Sequence, residues 1–165
     1  MLLKDIRDAV IAAVTGKVTA TVISTGVPPG QASFNPGETV TCDLKTANAA
    51  DGSQLKNVRL HVSVSDAAKL KLIVPPVAKA TAYQASTGAA VFVPGSEQTF
   101  MYLSTPALSV LSPGETVTIA GVTVKGVAVG APLVYAHIHA DVDMDWLIPA
   151  GNVGTNGSKT FNIVT

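Results

Sequence analysis

"LKNVRLHVSVS", residues 55 to 65, decides the fold. Val58, Leu60, Val62 and Val64 alternate with Arg59, His61, Ser63 and Ser65. A period of two puts the aliphatic set on one face of a strand and the polar set on the other, the pattern of a half-buried antiparallel strand. The same alternation recurs on the N-terminal side, where Val18, Ala20 and Val22 interleave with Thr19, Thr21 and Ile23. Val40, Cys42 and Leu44 likewise interleave with Thr41, Asp43 and Lys45. Further strands are expected over residues 69–73, 90–93, 99–104, 115–129, 133–145 and 159–164, punctuated by Pro, Gly, Asn and Ser. Within 115–129 the apolar parity switches from Val117 and Ile119 to Val122 and Val124, so a β-bulge is expected near Gly121. The expected fold is all-β, an antiparallel β-sandwich of about seven to nine strands.

The opening stretch departs from that period. In "MLLKDIRDAVIAAVTGK", residues 1 to 17, Leu2, Leu3, Ile6, Ala9, Val10, Ala13 and Val14 follow helical spacing, and Gly16 stands at a C-cap. Residues 1–16 are therefore expected to form an amphipathic helix and residues 17–165 the sandwich. Asp5, Asp8 and the shortness of the apolar run argue against a signal peptide, and no segment is long enough to span a membrane as a helix.

Composition narrows the function. Charged residues make up 13% of the chain against a usual share of about 25%, and its eleven basic and eleven acidic residues cancel. With so little charge to keep it dispersed, the chain is expected to cover part of its surface with copies of itself or with a partner. No basic patch is available to neutralise phosphates, which excludes a nucleic-acid partner. Cys42 is the only cysteine, so no intrachain disulfide forms. Its parity with Val40 and Leu44 turns it inward, as a small core residue rather than a reactive thiol.

"PGETVT" occurs twice, at residues 36–41 and 113–118. Pro-Gly makes a tight turn, Glu is left exposed, and Thr-Val-Thr begins a strand with Val inward. Neither half has enough strands to close its own core, so one sandwich is expected to use the turn twice. These two strand starts, the strand at 55–65 and a closing strand resemble bacterial Ig-like modules of the cell-adhesion-related (CARDB) type over residues 33–164. The resemblance implies an Ig-like fold and a structural or adhesive role, with no catalytic residues to carry over. The N-terminal helix and the missing signal peptide set the chain apart from secreted adhesins. They fit a phage decoration or fibre protein made in the host cytoplasm, a step from fold to role by analogy.

The chemistry-bearing stretch is "AHIHADVDMDW", residues 136 to 146. His137, His139, Asp141, Asp143 and Asp145 share one strand face. Two imidazoles about 6.6 Å apart and pointing the same way are a recurrent zinc or iron arrangement. Gly130, His137, His139, Asp143 and Gly151 trace a loose first cupin motif, yet Asp143 replaces its glutamate and no histidine follows for a second motif. His61 completes a ligand set only if its strand is the neighbour. The aspartates begin a D-x-D-x-D calcium pattern, but Trp146 stands where the loop needs glycine. Three of eleven acidic residues fall in this row, more than solubility of an outer strand face demands. The row therefore reads first as an interaction face, sensitive to pH through its histidines. No G-x-S-x-G elbow, paired glutamates or phosphate loop accompanies it.

The sequence thus points to a non-enzymatic structural protein that assembles on a larger particle, a phage head or tail surface, forming homo-oligomers or binding other capsid, tail or filament subunits. Leu3, Ile6 and Val10 of the helix, with His137, His139, Asp141, Asp143 and Asp145, are the expected contact residues. No cofactor is expected, calcium being the alternative. A second reading is a bacterial surface or secreted adhesion module that binds carbohydrate. A third is a small cupin-like metalloenzyme with His137, His139 and Asp143 as ligands.

Overall fold

The computed structural model describes residues 2–15, 18–24, 33–52, 54–75, 84–87, 90–142 and 156–165. The polar and apolar periods noted above sort the strands into two facing sheets. In the first, β1 (Val18–Ser24), β3 (Thr39–Asn48), β10 (Thr116–Gly126), β5 (Leu70–Ile73) and β7 (Glu97–Gln98) lie side by side. In the second the order is β12 (Asn156–Thr160), β11 (Leu133–Val142), β4 (Leu55–Val64), β8 (Phe100–Ser104) and β6 (Gln84–Ser86). A short β9 (Val110–Leu111) also pairs with the start of β4. Every pairing in these two sheets is antiparallel. A separate parallel pair joins β2 (Ser33–Phe34) to β13 (Asn162–Ile163). The fold is an antiparallel Ig-like β-sandwich.

The core is the set that alternation selects. Leu44 and Val122 of the first sheet, and Leu60, Met101 and Ile138 of the second, are fully buried. Cys42 is buried with them, and burial pushes its thiol up to about 12. Because its folded pKa stands above the ordinary 9.0, the stabilising effect of the neutral thiol is complete below that value and fades as pH rises toward 12. An aromatic disulfide reagent is therefore expected to leave the native chain unmodified at pH 8 and to label one thiol after denaturation. Stoichiometric labelling of the native chain would show that Cys42 is reachable.

The two PGETVT copies begin β3 and β10, which pair with each other in the first sheet. Gly37 and Gly114 have φ of +89° and +76°, the left-handed backbone a type II turn requires after proline. In both copies the glutamate bends back over its turn. Glu38 Oε2 accepts the Asn35 N–H at 2.7 Å, and Glu115 Oε2 accepts the Ser112 N–H at 2.8 Å. The motif's glutamate is thus a turn lock rather than a free surface charge. The expected bulge is present between Ile119 and Val122, where the Gly121 N–H donates to Asp43 Oδ1 at 2.9 Å.

Other expectations shift. Residues 90–93 form only an isolated bridge, Ser86 with Val91, instead of a strand. The run beginning at 115 ends as a strand at Gly126, and the closing run divides into β12 and β13 on either side of Phe161. The helix α1 spans Leu3–Thr15; Gly16, its expected cap, lies outside the described residues. Lys4 and Asp8 pair along its exposed side at 2.8 Å. Among the described residues, no helix is long and apolar enough to cross a membrane.

Candidate functional site

β4 is flanked on both sides within the second sheet, by β11 and by β8. Its inward residues Val58, Leu60 and Val62 are buried, which sends Arg59, His61 and Ser63 to the outer face. On β11, Val134, Ala136 and Ile138 are buried, so Tyr135 and His137 face outward. On β8, Met101 and Leu103 are buried and Phe100 and Tyr102 face outward.

Register then assembles a row across the whole sheet. His137 stands opposite Asn156 on one side and opposite His61 on the other; His61 stands opposite Tyr102, and Tyr102 opposite Ser86. The condition set for His61 is therefore met: its strand is the neighbour of the H-x-H strand, and it pairs directly with His137. A second row sets Tyr135 against Ser63 and Ser63 against Phe100.

The rings form a connected cluster. The His61 ring lies 5.0 Å from that of Tyr102 and 5.8 Å from that of Phe100, centre to centre. Phe92 reaches Phe100 edge-on at 6.4 Å, and the Arg59 guanidinium sits 5.0 Å above the Tyr102 ring. Such a cation over an aromatic face is attracted by the ring's negative face, which ties the two side chains together. Partial burial, and to a smaller extent neighbouring His137, lowers the pKa of His61, so its neutral form is favoured.

The row changes character toward the end of β11. His139 is opposite Arg59, but the next pair is Asp141 with Lys56, because β4 carries one extra residue between these positions. That bulge centres on Asn57, the one described non-glycine residue with positive φ, at 53°. Asn57 N–H donates to the Ser109 carbonyl at 2.8 Å, where β4 exchanges β8 for β9 as its partner. Asp141 is thus in register with Lys56 along the backbone.

Of the expected contact residues, Asp143 and Asp145 lie outside the described residues, as do the side chains of Val10, His139 and Asp141. Leu3 is 77% and Ile6 38% exposed, so the described part of the helix leaves its apolar stripe uncovered. Among the described residues, no group of three or more His, Cys, Asp and Glu is arranged to hold a metal. Sequence reading missed Arg59, Phe100 and Tyr102 as site residues. Their signal was the outward parity they share with His61, which acquires meaning only once β4, β8 and β11 are known to be neighbours.

No family model and no curated protein matches the sequence. Among solved structures, the chain is similar to the protein described as "AvmM Catalyzes Macrocyclization in Alchivemycin A Biosynthesis", at 18% identity and a TM-score of 0.51, over 89% of this chain and 88% of that one. It is also similar to the CARDB domain of a Pyrococcus furiosus protein, at 9% identity and a TM-score of 0.46, over 90% of each chain. A third similar structure is that of the sixth cohesin of Acetivibrio cellulolyticus scaffoldin B with a dockerin, at 15% identity and a TM-score of 0.47, over 90% and 99%. At these identities the likeness concerns fold alone.

Proposed function

We propose that the chain is a non-enzymatic binding and assembly module that docks a structural partner on the outer face of its second sheet. The observation that carries this reading is the cross-sheet row of His137, His61 and Tyr102, flanked by Arg59 and Phe100. Aromatic and arginine side chains held on an open sheet supply large contact area with little loss of freedom on binding. The scarcity of charge elsewhere and the exposed Leu3 and Ile6 support a second point of attachment at the helix. The context we infer is a viral particle, a phage head or tail surface reached from the host cytoplasm, with self-association of the module.

Size-exclusion chromatography with light scattering tests the assembly. The full chain is expected to run as an oligomer at micromolar concentration. Leu3→Ser with Ile6→Ser is expected to shift it toward monomer while moving the unfolding free energy by no more than about 0.5 kcal/mol, as for other exposed positions. Tyr102→Ala with Arg59→Ser is expected to weaken assembly or capture by particle subunits. A parent chain that stays monomeric at every concentration and binds no particle subunit would overturn the proposal.

A further inference from the structure

We infer that His61 and His137 form a two-histidine site for a borderline divalent cation of the zinc, nickel or copper class. Their strands place them directly opposite each other, and side chains at such positions leave the sheet with Cβ atoms about 4.5–5.5 Å apart. The residues before and after each, Leu60, Val62, Ala136 and Ile138, are all buried, so both imidazoles leave the same face. Two imidazoles at that separation span one cation from either side.

The surroundings select the class of ion. Imidazole nitrogen suits zinc, nickel and copper, whereas calcium and magnesium require several oxygen donors. The positions that continue the row are Tyr102 on one side and Asn156 on the other, and neither is a carboxylate. Arg59, on the adjacent row, is drawn onto the Tyr102 ring. The tilted contacts of the His61 ring with Tyr102 and Phe100 restrict its rotation, which reduces the ordering needed on binding. His139 occupies the next same-face backbone position on β11, opposite Arg59.

This set differs from the one suggested by sequence spacing. The H-x-H reading couples neighbours along one strand, whereas the structure couples neighbours across two. With two protein ligands the ion keeps open positions, which water or a donor atom of a docked protein fills. The site belongs to the single chain and does not depend on the assembly proposed above.

Calorimetric titration of the tag-free full chain with zinc chloride, and then nickel chloride, at pH 7.5 tests it. One cation per chain is expected to bind. His61→Gln and His137→Gln are each expected to weaken binding about tenfold or more. Both variants should retain the parent's metal-free melting temperature. If either variant fails to fold, nitrogen-detected NMR of the parent imidazoles replaces it: zinc is expected to shift the ring signals of His61 and His137 together. No binding up to about 1 mM zinc, undiminished binding by both variants, or a loss confined to His139→Gln overturns the assignment.

Discussion

Replacing Leu60 with alanine is expected to lower the unfolding free energy by about 2–5 kcal/mol, the largest effect of any single truncation considered. Leu60 is fully buried and stands in register with Ile138 on one side and Leu103 on the other. Three strands therefore lose a shared contact at once, and the cavity opens where flanking strands prevent collapse. Each kcal/mol moves the melting midpoint of a chain of this size by about 2–4 °C. Urea denaturation followed by fluorescence reads the change directly. A loss below about 1 kcal/mol would mean that the second sheet is looser than its register implies. The same substitution also probes the surface, because His61 is aimed outward by the burial of Leu60 and Val62.

The second large effect is expected at the seam between the sheets. Gly157 on β12 lies against β1, so that a methyl group added there would strike the Ala20 carbonyl and fall within 2.9 Å of the Thr21 Cα. Both obstacles are backbone, which has no rotamer with which to yield. Ala136, opposite Gly157 on β11, is also small and fully buried. Together with Ala20 these residues let one edge of each sheet approach closely. Gly157→Ala is expected to cost about 1–3 kcal/mol by overpacking, outweighing the roughly 0.4–1 kcal/mol gained from a stiffer unfolded chain. Thermal melts of the alanine and valine variants check the sign. An alanine variant as stable as the parent would show that β12 shifts freely away from β1.

Much of this architecture was legible because burial has the same period as the strand. Val40, Cys42 and Leu44 could be turned inward from parity alone, and the switch between Ile119 and Val122 located the bulge at Gly121. The run at 90–93 misled for a physical reason. Its residues favour strands, but they lie between the hydrogen bond that the Thr87 N–H donates to the Ala90 carbonyl and a turn at Val93–Ser96, with Val91 and Val93 left 62% and 72% exposed. Strand propensity with a single bridge, Val91 to Ser86, for pairing does not make a strand. Conversely β2, β6, β7, β9 and β13 have two or three residues each, too few for any period to register, and exist because a neighbour offers hydrogen bonds. The site divides in the same way. His137 and His139 announce themselves by spacing, whereas the pairing of His137 with His61 is a property of register between strands distant in the chain.

That distance sets the order in which the molecule can form. The centre of the first sheet joins β3 to β10, and the contact between Asp43 and Gly121 there spans 78 residues. The centre of the second joins β4 to β11 in the same interleaved manner. Loop closure must therefore precede most of the stabilising contacts, which places the chain among slow-folding β proteins, on the millisecond-to-second scale. During synthesis β3 and β4 emerge long before β10 and β11, with apolar faces and backbone donors waiting for strands not yet made. The interleaving that gives the finished sandwich its cross-sheet row thus leaves the growing chain exposed to self-pairing, and ties its yield to how long those strands remain alone.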